Sequence, residues 1–128
     1  MKVAFTSSDG RTIDEHFGMA GQFRIWEVGP DRAEPVGSVS AITTSDDEED
    51  RISARASAIA GCAIVYTVKI GGPAAAKLVA RRIHPMKTGA VVPIEEVVAK
   101  LQEVLRGKPP PWLRKAMAPE PSGAEVVD

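Results

Sequence analysis

Two histidines and one cysteine are the side chains of this 128-residue sequence best suited to bind a metal. His16 lies in the polar segment DEHFG, residues 14–18, beside two carboxylates and a glycine. An imidazole in such a loop has a nitrogen available to coordinate a metal or another ligand. For an arbitrary loop histidine, however, capping of a local turn or plain exposure to water is the more common role. The residues alone leave both interpretations of His16 open.

Cys62 is the only cysteine, which excludes an intramolecular disulfide and a four-thiolate metal site within one chain. It follows Gly61 at the start of an apolar segment, so we expect it at the N-terminal edge of a strand or just inside the core. An unpaired cysteine is commonly an inert buried residue, and a thiolate function would require exposure. Any metal site in this chain therefore needs other ligands.

The segment Gly71-Gly72-Pro73 presents backbone N–H groups at the start of a predicted helix, just beyond a predicted strand. In an open α/β sheet, ligands bind beyond the carboxyl ends of the strands, and the helix dipole there favours an anion. The segment has neither the Lys-Ser/Thr of a phosphate loop nor a GxGxxG pattern, so nucleotide binding is poorly supported. As a plain helix start it needs no ligand at all.

A second imidazole, His84, lies close in sequence to Arg81, Arg82 and Lys87. These residues suit an anionic ligand, and they suit an ordinary surface equally well. The acidic run at 46–50 is most simply a solvated helix start, because successive carboxylates point in different directions around a helix.

Hydrophobic patterning predicts the elements that position these residues. Strands are expected at 3–6, 23–28, 36–42 and 62–68 and within 83–92. Helices are expected at about 46–60, at about 73–82, and between Pro93 and Gly107. The order β-β-β-α-β-α-β-α indicates an α/β protein with a mixed five-stranded sheet, helices packed on it, and parallel later strands joined by right-handed crossovers.

The composition bounds the function. We expect one domain over residues 1–107 and a proline-rich tail outside the core over 108–128. With 16 Lys+Arg against 17 Asp+Glu, the chain offers no electrostatic case for nucleic acid. No apolar run approaches the roughly 20 residues of a membrane span, and the N-terminal run is too short for a signal peptide. The sequence predicts a cytoplasmic protein without a membrane partner.

Five segments, in this order along the chain, resemble the nitrogenase iron–molybdenum cofactor biosynthesis family, most closely its NifX branch. They are MKVAFTSSDG, IDEHFGMAGQFRIWEV, GCAIVYTVKIGGPAAAKLVARRIHPMK, PIEEVVAKLQEVL and PPPWLRK. The resemblance covers roughly residues 1–115 and rests on motif order. HFG, Gly-Gly-Pro-Ala-Ala and PPPWL are far more specific together than any of them alone.

The resemblance implies a ribonuclease-H-like α/β fold and a non-catalytic carrier. Its transient cargo would be an iron–sulfur precursor of the iron–molybdenum cofactor, received from a precursor synthase and passed to a scaffold among the nitrogenase cofactor assembly proteins. The resemblance also implies that His16 binds the cluster and its metal, with Cys62 and His84 as weaker candidates. The expected oligomeric state is a monomer or a weak homodimer.

Such a cargo would be held through few protein bonds. Ordinary iron–sulfur sites use about four cysteines, whereas this chain has one. A cluster is a large anion, and a positive rim without direct coordination would favour it. The candidates for that rim are Gly71, Gly72, Arg81, Arg82 and Lys87.

Two other classes of function stay open at this point. Ribonuclease-H-like folds include nucleases that hold two metal ions with clustered carboxylates, and the available acids are Asp9, Asp14, Glu15 and Glu27. For Asp9, turn formation is the simpler role.

The second alternative is an interaction module without a cluster. The segment 109–113, with its prolines and Trp112, would then dock on a partner. Trp112 and Leu113 folding back onto their own domain is the competing interpretation.

Overall fold

The first strand of the chain lies at the centre of a five-stranded mixed sheet in the computed structural model, which describes residues 1–117. The strands are β1 (Lys2–Thr6), β2 (Thr12–Ile13), β3 (Gln22–Val28), β4 (Ala33–Ser40), β5 (Ile64–Thr67), β6 (His84–Lys87) and β7 (Val92–Pro93). The sheet order is β4-β3-β1-β5-β6; β3 is antiparallel to β1 and β4, whereas β1, β5 and β6 are parallel. The predicted mixed five-stranded sheet is confirmed.

Four helices and one 3-10 turn complete the described part of the chain. They are the 3-10 turn (Phe17–Met19), α1 (Glu48–Ala58), α2 (Gly72–Ala80), α3 (Ile94–Arg106) and α4 (Pro111–Met117). The first three helices lie where the apolar spacing predicts them. Helix α1 begins later than predicted because Asp47 is its N-cap, with a side chain that accepts a hydrogen bond from the Asp50 N–H.

Alternate residues of β1 face two separate cores. Val3 and Phe5 pack on one side of the sheet and Ala4 on the other, as the two-residue period of a strand requires. Helices α1 and α2 cover the Ala4 side, where they bury Ile52, Ala56, Ala74 and Leu78. Helices α3 and α4 cover the opposite side, where they bury Val98, Leu101, Leu105 and Leu113. The fold is therefore a three-layer α/β/α arrangement.

The last strand of the sheet contains Pro85, which donates no backbone hydrogen bond. This proline is tolerated because β6 is an edge strand. After it, β7 leaves the main sheet and pairs with β2 in a separate two-stranded sheet. The hydrophobic pattern does not predict this small sheet, since each of its strands has only two residues.

The C-terminal segment differs from the prediction of a tail outside the core. Residues Pro111–Met117 form α4, Leu113 is 2% exposed in the α3 core, and the Trp112 ring stacks on His84 with centroids 3.8 Å apart. A seven-residue helix with one buried leucine is too short to show a periodic apolar stripe in the sequence. This segment folds back onto its own domain; the rest of the predicted tail, 118–128, lies outside the described residues.

Within residues 1–117, the helices are all too short or too polar to cross a membrane.

Candidate functional site

The carboxyl ends of the three parallel strands β1, β5 and β6 meet at one edge of the sheet, here named the carboxyl edge. Backbone hydrogen bonds join the loops that follow these strands. The Val68 N–H donates to the Glu15 carbonyl oxygen at 3.1 Å, and the Phe17 N–H donates to the Lys69 carbonyl oxygen at 2.9 Å. Because ligands of open α/β sheets bind beyond this edge, these joined loops form the candidate site.

Two buried threonines fix the chain immediately before His16. Thr6 ends β1 and Thr67 ends β5, and both side chains are fully buried. Their hydroxyl oxygens lie 2.8 Å and 3.0 Å from the Glu15 carbonyl oxygen and 3.2 Å from each other. Since each hydroxyl has one proton, the pair shares its donors between the Glu15 carbonyl, the other hydroxyl and the Lys69 carbonyl. The strand ends thus hold the main chain of the DEHFG segment.

His16 itself is exposed at this edge, and its side chain makes no capping hydrogen bond to the 3-10 turn that follows. The interpretation of His16 as a turn cap is therefore wrong. On its C-terminal side, Phe17 is fully buried and its ring lies 5.7 Å from the Phe23 ring. An exposed imidazole stands between two anchored residues, an arrangement that leaves it available to a ligand at a fixed place.

A buried arginine supports the same loop from α1. Arg55 is 6% exposed, and its Nε donates to the Ala20 carbonyl oxygen at 3.1 Å, just after the turn. Burial lowers the pKa of Arg55, and the neighbouring charge of Arg51 adds to that effect. Arg55 is not among the predicted site residues, although its position gives a signal: it lies three residues after Ile52, on the apolar face of α1.

The Glu15 carboxyl lies close enough to Arg55 for their charges to interact. Its Oε1 atom is buried with no hydrogen-bond partner among the described residues. Burial raises the pKa of the Glu15 carboxyl, Asp14 raises it further, and the positive charge of Arg55 opposes both. The carboxylate is thus held close to the backbone of His16 in an environment that favours its protonated form.

Positive groups lie on the β5–β6 side of the carboxyl edge. A cleft of about 330 Å³ is lined by Val68, Lys69, Ile70, Lys87, Thr88 and Gly89. Next to it, α2 begins at Gly72 after Gly71, with no side chain capping its first turn. The structure therefore brings together four of the predicted residues: His16, Gly71, Gly72 and Lys87 share this edge. It adds Lys69, which is not among the predicted residues and whose carbonyl accepts a hydrogen bond from the Phe17 N–H.

The other four predicted residues lie at the opposite edge. Cys62 precedes β5, Arg81 and Arg82 follow α2, and His84 is the first residue of β6. The four residues of β5, at about 3.3 Å each, separate the two ends of the parallel strands. The eight candidate residues therefore do not all belong to one site, because parallel strands place their beginnings and ends at opposite edges.

Cys62 and His84 do not converge with each other either. Cys62 is 5% exposed and packs in the core beneath α1 and α2, where burial raises the pKa of its thiol to about 11. His84 pairs in register with Ile64, which belongs to the core on the other face of the sheet, and there it stacks on Trp112. Burial lowers the pKa of this imidazole.

Three of the four acids considered for a nuclease have local partners. The Asp9 carboxylate accepts from the N–H groups of Arg11 and Thr12, which hold its pKa well below the ordinary range. Asp14 accepts from the Ser8 N–H, and Glu27 pairs with the N-terminal amine at 2.8 Å. Among residues 1–117, no three His, Cys, Asp or Glu side chains are grouped to hold a metal ion. The structure gives Asp9 the turn-forming role.

Three curated relatives align with most of this chain. It is 43% identical over 119 residues to the Protein NifX of Herbaspirillum seropedicae, covering 91% of this chain and 82% of that protein. It is 38% identical over 121 residues to the Protein NifY of Azotobacter vinelandii, covering 94% of this chain and 50% of the relative. It is also 31% identical over 126 residues to the FeMo cofactor biosynthesis protein NifB of Bradyrhizobium diazoefficiens, covering 86% of this chain and 25% of that protein.

A solved structure and a family model are consistent with these relatives. The crystal structure of PH0822 superposes with a TM-score of 0.60 at 22% identity, covering 80% of this chain and 91% of that one, which shows a shared fold. The family model described as dinitrogenase iron-molybdenum cofactor matches residues 1–104. The chain therefore belongs to the dinitrogenase iron-molybdenum cofactor family and is similar to its NifX and NifY members.

Proposed function

We propose that this protein is a non-catalytic carrier that binds an iron–sulfur precursor of the nitrogenase iron–molybdenum cofactor and passes it between assembly proteins. The names of the NifB relative and of the matching family model support a role in the biosynthesis of that cofactor. The carrier role, the ribonuclease-H-like label for the fold, the cytoplasmic location, and a precursor synthase and a scaffold as partners are predictions within this proposal.

One observation carries the proposal: His16 is an exposed imidazole whose main chain is fixed on both sides. Before it, the Glu15 carbonyl is bound by the Thr6 and Thr67 hydroxyls; after it, Phe17 is buried and its N–H is bonded to Lys69. A ligand held ready in this way loses little conformational entropy when it coordinates. Neutral imidazole is a common metal ligand in proteins.

The surrounding charge suits an anionic cargo. Lys69 and Lys87 line the adjacent cleft, and the N-terminus of α2 at Gly72 presents the positive end of a helix dipole. The first turn of α1 lies at the same end of the domain and is acidic, so it would repel an anion. Its Glu49 pairs with Lys77 at 2.6 Å. We therefore place the cargo on the β5–β6 side of His16.

Weak attachment follows from the donors that are available. Cys62 is buried at the opposite edge, and its raised pKa keeps the thiol protonated at neutral pH. An iron–sulfur cluster ordinarily has about four thiolate ligands. A cluster bound here through one imidazole and a positive rim would exchange readily, as a carrier requires.

The test is anaerobic titration of the full chain with two probes, isolated iron–molybdenum cofactor and a synthetic cubane iron–sulfur cluster. We expect a coloured one-to-one complex with at least one of them. The His16→Ala variant should bind at least tenfold more weakly, a loss of about 1.4 kcal/mol. If neither probe bound the wild-type chain, the carrier proposal would be overturned.

The chain supplies matched controls for His16. His84→Ala removes the other histidine, and Cys62→Ala removes the thiol; both residues lie at the opposite edge of the sheet. Each variant should bind the clusters like the wild type. If His84→Ala weakened binding as much as His16→Ala, the site would not be at the carboxyl edge.

A further inference from the structure

We propose that the thioether sulfur of Met19 is a second protein ligand for the inorganic cargo, at the far end of the turn that His16 begins. This inference rests on the proposed function and deepens it by naming a second donor of defined chemistry. It starts from the 3-10 turn Phe17–Met19, which has His16 as its N-terminal flanking residue and Met19 as its last residue.

The main chain brings the two residues together. The Met19 N–H donates to the His16 carbonyl oxygen at 3.0 Å, which closes a turn between residues i and i+3. Such turns hold the Cα atoms of their first and last residues within about 7 Å of each other. An imidazole and a long thioether that start so close together can reach one cluster.

Met19 is 71% exposed, which is unusual for methionine, a residue that is mostly buried in folded proteins. The exposure does not come from a loose segment, since Phe17 and Ala20 on either side are fully buried and Arg55 bonds to the Ala20 carbonyl. Between the two donors, a Cβ on Gly18 would meet no atom within 4 Å. The turn therefore presents two donors beside open space, where a bulky inorganic cage has room to approach.

The chemistry of a thioether fits this cargo. Soft sulfur donors suit iron–sulfur clusters, and a neutral thioether coordinates without releasing a proton. One sulfur–iron bond would form as an exchangeable external ligand, a thiolate or a water molecule, leaves the same iron, with no electron or proton transferred. Because a thioether is a weaker donor than a thiolate, Met19 would add affinity and orientation while still permitting hand-over.

The first test compares Met19→Leu with the wild type in the anaerobic titration with the same two clusters. Leucine keeps the apolar bulk and removes the sulfur, so we expect weaker binding on the order of tenfold, or about 1.4 kcal/mol. The matched control is Met117→Leu, which removes a thioether from α4, on the other face of the sheet. Wild-type affinity in Met19→Leu would overturn the assignment.

A spectroscopic test separates coordination from mere contact. The full chain is produced with selenomethionine, loaded with the cluster, and examined by X-ray absorption at the selenium edge. We expect an iron scatterer at bonding distance from selenium that is missing from selenomethionine-labelled Met19→Leu. Absence of iron near selenium in the loaded protein would exclude Met19 as a ligand.

The two proposals fail in different ways. If His16→Ala weakens binding and Met19→Leu does not, the carrier proposal stands and the second ligand is rejected. If neither cluster binds the wild-type chain, the carrier proposal itself is rejected, and the Met19 assignment is rejected with it.

Discussion

The Thr67 hydroxyl oxygen at the end of β5 lies 3.0 Å from the Glu15 carbonyl oxygen, so a core strand directly holds the residue before the exposed His16. Replacing Thr67 by Val keeps the shape of the side chain and removes this donor. The Glu15 carbonyl would keep the Thr6 hydroxyl and the Val68 N–H as partners. We expect the free energy of unfolding to fall by about 1 to 2 kcal/mol, measured by urea denaturation, and cluster affinity to fall as well.

Thr12→Val is the matched control for Thr67→Val. The Thr12 hydroxyl bonds at 3.0 Å to the Asp9 carboxylate, does not contact Glu15, and does not line the cleft beside His16. A lost hydroxyl there should lower stability without changing cluster affinity. Equal effects of the two variants on affinity would show that the threonine pair does not position His16.

Arg55 is predicted to stabilise the fold and to position the 3-10 turn. Arg55→Met removes the hydrogen bond to the Ala20 carbonyl and the positive charge that opposes the raised pKa of Glu15. We expect a loss of about 2 kcal/mol of unfolding free energy, typical for a buried hydrogen bond to a charged group. Arg55→Lys should recover part of it. The exposed Arg51→Met is the control, and an equal loss there would contradict the assigned role.

The order of elements could be predicted because each has a strong local signal. Apolar alternation indicates β3 and β4, a continuous apolar run indicates β5, and helical spacing with glycine or proline at the ends indicates α2 and α3. Short elements lack such a signal. The β2–β7 pair and α4 depend on contacts with residues far away in sequence: β2 pairs with a strand some eighty positions later, and α4 is anchored by Leu113.

The site could be predicted only in part for the same reason. The motif resemblance identifies His16, and Gly71-Gly72 is visible as a helix start. Their assignment to one edge needs the strand directions, which also send Cys62 and His84 to the other edge. Lys69 joins the site through a backbone hydrogen bond to Phe17, and no pattern in the sequence reports that bond.

The partly buried Glu15 carboxyl should make the stability of the protein depend on pH. Burial, with help from Asp14, raises its folded-state pKa above the ordinary value of 4.5, so the folded protein binds a proton more tightly than the unfolded chain does. The stability contributed by this group is therefore fully present below about pH 4 and is lost as pH rises through the folded-state pKa. Glu15→Gln should stabilise the protein near neutral pH and have little effect below about pH 4.

The measurement is the free energy of unfolding of wild type and Glu15→Gln across this pH range. Glu34→Gln is the control because Glu34 is an exposed carboxylate on β4. The difference between wild type and Glu15→Gln should grow as pH rises and should exceed any change seen with the control variant. A Glu15→Gln difference that is flat with pH would show that the carboxyl is not perturbed by burial.

Leu113 tests whether α4 is part of the folded domain. Its side chain is 2% exposed and packs in the same core as the buried residues of α3, so Leu113→Ala should lower the free energy of unfolding by about 2 to 4 kcal/mol through lost burial and a residual cavity. Val104→Ala is the control, because Val104 on α3 is 43% exposed and should cost less than about 0.5 kcal/mol. A cost no larger than that of Val104→Ala would mean that the domain folds without α4.

Helix α4 also places Trp112 on His84, so Leu113→Ala should change the tryptophan fluorescence of the folded protein. Cluster affinity should be unchanged in both variants, because α4 packs against His84 at the edge opposite His16.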